Sequence, residues 1–417
     1  MTGSTPQDDR TFVIVGASLT GAKAAETLRA EGFTGRVVLV GEEDDAPYER
    51  PPLSKGYLLG SEERDKAFVH ERGWYDEQRI ELRTGVRAEG LDPAAHVVTL
   101  AGGERLGYDK LLLATGSVVR RLGVPGADLD GVHYLRRIGH ADTLRDVLTE
   151  GARVVVIGGG WIGLEVAAAA RTHGASVTLV EVAPLPLQRV LGDELGQVFA
   201  DLHAEHGVDL RLGTGIREIT GRDGHVASVV LGGDGGDGTE VPADAVVVGI
   251  GIRPAVELAQ AAGLAVDDGV LVDAALRTSD PDVYAAGDVA NTDHPLLQRR
   301  IRVEHWANAL NGGPAAARSM LGQDVVYDRV PYFFSDQYDL GMEYSGHAEP
   351  GSYDRVVFRG DPKAREFVAF WLAGGRVLAG MNVNVWDVTD DIQRLIRSGS
   401  PVDPDRLADT DVPLAEL

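Results

Sequence analysis

Cysteine is absent from all 417 residues. That excludes a disulfide, a redox-active cysteine pair, a thiolate nucleophile and an iron–sulfur cluster held by this chain's own thiolates. Any electron chemistry must therefore use a bound organic cofactor or a partner's metal. Basic residues are also scarce: 40 Lys+Arg stand against 64 Asp+Glu, for a formal net charge of −24. Such a balance disfavours nucleic acid or an anionic membrane as the main partner, and any basic patch stands out against it. Long apolar runs are missing too, since a membrane span needs roughly 18 uninterrupted apolar residues. The densest stretch, Val154 to Ala170, is interrupted by Glu165. Met1 to Arg10 are polar, without the apolar core of a signal peptide. The expectation is a cytoplasmic protein. With 44% hydrophobic and 25% charged residues the remainder is ordinary for a globular chain, long enough for two or three domains.

What is present is organised around RVVVIGGGWIGLEVAAAARTHGASVTLVE, from Arg153 to Glu181. Val154 to Ile157 are an apolar run of strand length. Gly158, Gly160 and Gly163 fill the three positions of G-x-G-x-x-G. Ile162, Val166 and Ala169 follow at helical spacing, Gly174 stops the helix, and Ser176 to Val180 form a second strand closed by Glu181. The first glycine permits the tight turn, the second lets backbone approach a pyrophosphate, and the third lets helix pack on strand. The helix N-terminus then offers unpaired amides and a positive dipole end to the phosphates. An ordinary helix–strand turn is the bland alternative, but both strands, the helix and the acid are placed as a nucleotide site requires.

A second such unit opens the chain. Thr11 to Val15 form a strand, GASLTG follows, Ala22 to Ala30 make a helix of small residues closed by Gly32, and Arg36 to Val40 form the next strand, with Glu42 after it. Gly16 and Gly21 match the first and third glycines, whereas Ser18 stands at the second. Its β-carbon takes room where backbone approaches phosphate; its hydroxyl offers a donor instead. Two dinucleotide units in one chain suggest an electron donor meeting a bound acceptor.

Other stretches carry weaker signals. Pro51 and Pro52 fix a rigid segment just before Lys55. Taken alone, Lys55 reads as a placed charge or, the commoner fate of lysine, a solvated surface group. KLLLATG (Lys110 to Gly116) and AVVVGIG (Ala245 to Gly251) are buried strands ending in loops of small residues, read as crossing points between domains. Leu210 to Val241 reads as short strands broken by the glycine-rich loop GGDGGDG. VYAAGDVA, from Val283 to Ala290, is a strand ending at Gly287 and Asp288, where open α/β sheets bind ligands, although a loop cap reads the same way. Arg299, Arg300 and Arg302 cluster near Trp306; a docking patch and a solvated arginine face remain equal alternatives. From Val325 onward, alternating stretches such as FVAFWL predict an antiparallel sheet, and Asp390 to Ser398 a helix, with no visible catalytic motif.

Together GASLTGAKAAETLR, YERPPLSK, LLLATG, VVVIGGGWIGLE, YAAGDVA, VEHWANAL and FFSDQYDL resemble the oxygenase-coupled NADH:ferredoxin reductases, within the wider FAD-dependent pyridine nucleotide-disulfide oxidoreductase superfamily. The resemblance covers nearly the whole chain. ERPPLSK followed by SDQYDL is far more specific than the nucleotide turns. It implies an α/β fold with two Rossmann-like, glutathione reductase-like domains and a C-terminal α+β domain: FAD in 1–116 and 248–325, NAD in 117–247, the antiparallel sheet in 326–417. It further implies that non-covalent FAD is held by Gly16, Ser18, Leu19, Thr20 and Gly21, with Glu42 on the adenosine ribose. Arg50 and Lys55 are expected beside the flavin, with Val86, Ala114, Thr115, Gly116, Arg136, Gly287, Asp288 and Trp306 completing its pocket. Gly158, Gly160, Trp161, Ile162 and Gly163 shape the NAD turn, Glu181 takes the ribose, and Arg189 and Gly251 lie along that cofactor. In the family Lys55 pairs with Glu165 at the flavin's reactive nitrogen, which assigns both a catalytic role and no metal.

The implied activity is electron transfer from NADH through FAD to an iron–sulfur ferredoxin, and indirectly to a cytochrome P450 or a Rieske oxygenase, by a monomer or weak dimer. An NADH oxidase or quinone reductase is the alternative enzyme, though relatives of that kind often use an active-site cysteine. A redox-sensing flavoprotein similar to apoptosis-inducing factor is the alternative of another class. Arg299, Arg300 and Arg302 are the expected docking patch for an acidic ferredoxin.

Overall fold

The computed structural model describes residues 8–233 and 237–417, so the centre of the GGDGGDG loop lies outside the described residues. The chain divides into two compact bodies. The first comprises Met1–Glu49, Arg64–Val118 and Ile252–Pro331, and the second Arg50–Glu63, Val119–Gly251 and Tyr332–Leu417. Two of these boundaries fall just past the small-residue loops that end LLLATG and AVVVGIG.

The first body is built on a five-stranded sheet in the order Val283–Ala285, Lys110–Leu113, Thr11–Val15, Arg36–Val40, Ile80–Arg83, parallel throughout. Its central strands are nearly continuous β-branched and leucine runs because a parallel sheet is covered on both faces. Phe12, Val13, Ile14, Leu111 and Leu112 are fully buried. Helix Leu19–Ala30 buries Gly21, Ala22, Ala24 and Ala25. Small residues are needed there because helix Trp306–Met320 packs against it at backbone distance: a β-carbon on Gly313 would stand 2.2 Å from the Thr20 carbonyl oxygen. That contact fixes the start of the first helix against the strand end that carries Gly287.

The second body repeats the theme with the parallel order Asp209–Leu212, Ser176–Glu181, Arg153–Ile157, Ala245–Val248, Val132–Tyr134. Helix Trp161–Thr172 is buried along most of its length, from Gly163 to Ala170. The expected C-terminal sheet is antiparallel, in the order Tyr332–Gln337, Leu340–Gly346, Arg376–Val383, Glu366–Ala373, Arg355–Asp361, and helix Thr389–Ser398 follows it. Trp371, Phe367 and Phe370 fill its core. This sheet packs within the second body: Trp161 meets Phe333 edge-on at 5.0 Å, and Trp371 Nε1 donates to the Leu191 carbonyl at 3.3 Å. Among the described residues no helix is long and apolar enough to cross a membrane.

Candidate functional site

In the first body the N-terminal turn is forced by two close approaches. Gly16 has φ +122°, and a β-carbon there would lie 2.0 Å from the Ala114 carbonyl oxygen; one on Gly21 would lie 2.1 Å from the Gly16 carbonyl oxygen. Ser18, in extended conformation, precedes the helix, yet its hydroxyl makes no capping bond. Leu19 and Thr20 open a first turn without an acidic residue, so no carboxylate of that turn offsets the positive end of the helix dipole. Gly287 packs against this end, its β-carbon position 2.5 Å from Thr20 Oγ1, and Asp288 follows in a single tight turn. Thr115 Oγ1 donates to the Ala255 carbonyl at 2.8 Å, which fixes the loop through Gly116. The Val86 amide donates to Gly41, at the end of the second strand. Trp306 Nε1 donates to Glu49 Oε2 at 3.0 Å. Glu42 has a 45% exposed side chain with Arg87 Nε 3.9 Å away. The structure thus brings Gly16, Ser18, Thr20, Gly21, Ala114 and Gly287 together around one helix end.

The arginine cluster lies on a strand. Arg299–Arg302 pairs antiparallel with Ala290–His294. Arg300 Nη1 donates to the carbonyls of Val272 and Asn291. Arg302 is largely buried between Glu304 and Asp268. Its charge is neutralised locally, and Arg300, opposite Asp293 in the register, is the exposed arginine of the strand.

The second body holds the complete glycine turn. Gly158 has φ +106°, with a β-carbon position 2.4 Å from the Gly249 carbonyl oxygen, and Gly163 stands equally tight, 2.0 Å from the Gly158 carbonyl oxygen. Gly160 differs: a β-carbon there would meet nothing within 4 Å. The space beside the second glycine is open, as a cradle for an approaching pyrophosphate requires. Glu181 is tied back onto this turn, accepting from the Gly159 amide at 2.6 Å and the Ala183 amide at 2.8 Å. Ile162 projects from the first helical turn, 41% exposed. Arg189 lies on the short helix Gln188–Leu191, and Gly251 accepts from the Arg120 amide.

Lys55 is not a surface lysine. The tight turn Pro51–Ser54 delivers it to Glu165 within the second body, Nζ to Oε1 at 2.8 Å, with side chains 14% and 3% exposed. The ammonium also lies 5.3 Å from the Phe334 ring. Two hydroxyls that the sequence reading did not single out complete the carboxylate: Ser54 donates to Oε2 and Ser335 to Oε1, the latter at 2.6 Å. A buried carboxylate needs such donors, because its desolvation cost is otherwise several kcal/mol. Ser335 comes from the C-terminal sheet, a region with no visible catalytic motif in the sequence. Both serines stand inside motifs already visible, PPLSK and FFSDQ, but nothing local marks them as partners of residue 165. Arg50, in the same body, donates to the Arg136 carbonyl.

Two parallel sheets, each with a glycine turn at the end of its central strand, and a buried ion pair in a chain without cysteine define a dinucleotide-dependent oxidoreductase. The chain belongs to the pyridine nucleotide-disulphide oxidoreductase family, whose profile matches residues 10–313; a reductase C-terminal profile matches residues 332–417. Members of this family use FAD and NAD(H). Over 97% of its length the chain is 45% identical to the ferredoxin–NAD(+) reductase component of the anthranilate 1,2-dioxygenase system of Burkholderia cepacia, covering 98% of that protein. It is 39% identical to rhodocoxin reductase of Rhodococcus erythropolis over 97% of this chain and 93% of that one. Among solved structures, the covalent putidaredoxin reductase–putidaredoxin complex superposes with a TM-score of 0.93 at 36% identity, covering 98% of both chains.

Proposed function

We propose that this chain is an NADH:ferredoxin reductase, taking electrons from NADH by way of non-covalent FAD to an iron–sulfur ferredoxin that serves a cytochrome P450 or a Rieske oxygenase. The observation that carries the reading is the pairing of Lys55 with Glu165, joined to two dinucleotide turns, in a chain with no cysteine. FAD suits such a task because it accepts two electrons together and releases them singly. The chain supplies binding and electrostatics. The N-terminal turn, Gly16 to Gly21, holds the FAD pyrophosphate; Glu42 takes the adenosine ribose; Ala114 to Gly116, Gly287, Asp288, Val86 and Trp306 bound the flavin. Arg50, Arg136 and Lys55 meet the flavin as the family resemblance implies, Lys55 being oriented by Glu165. NADH lies along Gly158 to Gly163, Arg189 and Gly251, with its ribose on Glu181. Residues 326–417 form a third functional division that contributes Ser335 to the ion pair.

Arg299 and Arg300 are proposed to steer the ferredoxin, with Arg302 holding the strand. At a net charge of −24, an acidic partner approaches faster where a local basic face reverses the field. The test is NADH-driven reduction of cytochrome c with and without added ferredoxin. Turnover should depend on ferredoxin, while ferricyanide is reduced without it. Ferredoxin-independent reduction of cytochrome c at the full rate refutes the proposal in favour of a small-acceptor reductase.

A further inference from the structure

The carboxylate of Glu165 is the end of a longer buried chain of donors. Strand Tyr332–Gln337 alternates, so Phe333, Ser335 and Gln337 face inward while Asp336 faces out. An inward strand position is ordinarily apolar, as Phe333 is, because a buried polar side chain is costly unless paired. Here Ser335 and Gln337 are each only 1% exposed, and His203, on helix Asp193–Glu205, is 0% exposed. Gln337 Nε2 donates to Ser335 Oγ at 3.1 Å, and His203 Nε2 lies 2.9 Å from Gln337 Oε1.

These bonds have one direction. Because the Gln337 amide nitrogen faces Ser335, its oxygen faces His203 and must accept, so the imidazole donates through Nε2. Burial pulls the His203 pKa down to about 4, so the ring is neutral at pH 7. Ser335 Oγ accepts a hydrogen bond from Gln337 Nε2 and donates its own to Glu165 Oε1. Every dipole in the chain His203, Gln337, Ser335 therefore points its positive end at the Glu165 carboxylate, which Lys55 and Ser54 engage directly. A fold that needed only a filled core would take apolar residues at 335 and 337.

We propose that Ser335, Gln337 and His203 are positioning residues that hold the Glu165 carboxylate in one rotamer, and through it place Lys55, so that they set how readily the flavin is reduced by NADH. This rests on the reading of Lys55–Glu165 as the ion pair at the flavin. All three act through Glu165.

The test uses the FAD-loaded protein, with rapid-mixing reduction by NADH and the flavin midpoint potential as separate readouts. Ser335→Ala should slow flavin reduction roughly tenfold, the usual scale for losing a hydrogen bond to a charged group, and displace the potential. Gln337→Met should do so a few-fold, and Ser335→Thr should restore the wild-type values. In a Glu165→Gln background, Ser335→Ala and Gln337→Met should add nothing, since coupled residues are non-additive. If Ser335→Ala does not fold, Gln337→Met carries the same comparison. Effects that persist in full without the Glu165 carboxylate overturn the proposal, as do variants that lower only the melting temperature. Silence of Ser335→Ala and Gln337→Met beside an affected Glu165→Gln overturns the relay alone, whereas silence of Glu165→Gln overturns the reading of the ion pair and the relay with it.

Discussion

The two glycine turns share a sheet order and a helix length, yet they are held shut differently. In the N-terminal turn the second position is Ser18, and the acid after the following strand, Glu42, is half exposed and faces Arg87. In the central turn the second position is Gly160, beside open space, and the acid, Glu181, is bound back onto the turn by two amides. The first helix is further braced by Trp306–Met320 through the Gly313–Thr20 contact. A cofactor that stays bound through turnover is served by the braced turn with an extra hydroxyl donor. One that exchanges each cycle is served by an open turn whose selectivity sits in a rigid acid. On the proposed assignment of FAD to the first turn and NADH to the second, the difference between tenant and visitor lies in a few side chains at equivalent positions.

The largest effect expected is on the first glycines, where the two turns should behave alike. Gly16→Ala and Gly158→Ala both place a β-carbon within 2.4 Å of a carbonyl oxygen at positive φ. Each should cost more than about 3 kcal/mol of stability, read as a lost or strongly lowered unfolding transition; either protein folding with unchanged stability would show that the turn relaxes and that the comparison rests on the wrong contacts. Next comes the acid. At about 5 Å and an effective dielectric near 20, Glu181 repels a ribose phosphate by roughly 3 kcal/mol per unit charge before salt screening. Half of that still exceeds tenfold. Glu181→Ala should therefore lower the ratio of kcat/KM for NADH over NADPH more than tenfold. Glu42→Ala should leave that ratio unchanged and weaken FAD retention only. Equal loss of NADH selectivity in both variants would erase the distinction between the two acids.

These turns were legible in the sequence because their requirements are local: the glycine spacing, the flanking strands and the acid all fall within about thirty residues. The antiparallel sheet was legible from its alternation. The ion pair was not, since Lys55 and Glu165 are 110 positions apart and their pairing entered only through the family resemblance. Ser335, 170 positions from Glu165, and His203 were missed because a buried donor is recognised by what it faces, which no spacing encodes. The arginine cluster was visible as a run of basic residues, but its strand pairing and the burial of Arg302 against Asp268 depend on tertiary partners.

A smaller effect separates the second positions. Gly160→Ala meets no atom within 4 Å and keeps an ordinary φ of −83°. Its stability should match the parent within about 0.5 kcal/mol, while KM for NADH rises about tenfold, or about 1.4 kcal/mol, as the methyl takes the phosphate's place. An unchanged KM would mean that the pyrophosphate does not approach Gly160, and the open space would lose its meaning.

The smallest and most diagnostic change is Ser18→Gly, which makes the first turn resemble the second. Two terms oppose each other. Removing the β-carbon opens room for the pyrophosphate; removing the hydroxyl takes away a donor to a charged oxygen, a bond worth about 1.5–3 kcal/mol when well formed. Helix capping does not enter, because Ser18 makes no capping bond, and serine to glycine at such a site costs only a few tenths of a kcal/mol. The extended backbone at Ser18 (φ −129°) holds its β-carbon without strain, so relief of crowding offers little. The hydroxyl term should win: FAD titrated into the flavin-free protein should bind Ser18→Gly three- to tenfold more weakly than the parent. Ser18→Ala, which keeps the carbon and loses the donor, should bind at least as weakly as Ser18→Gly. Tighter FAD binding by Ser18→Gly would make the serine a steric compromise, and the two turns would then differ only in their acids and in the helix that braces the first.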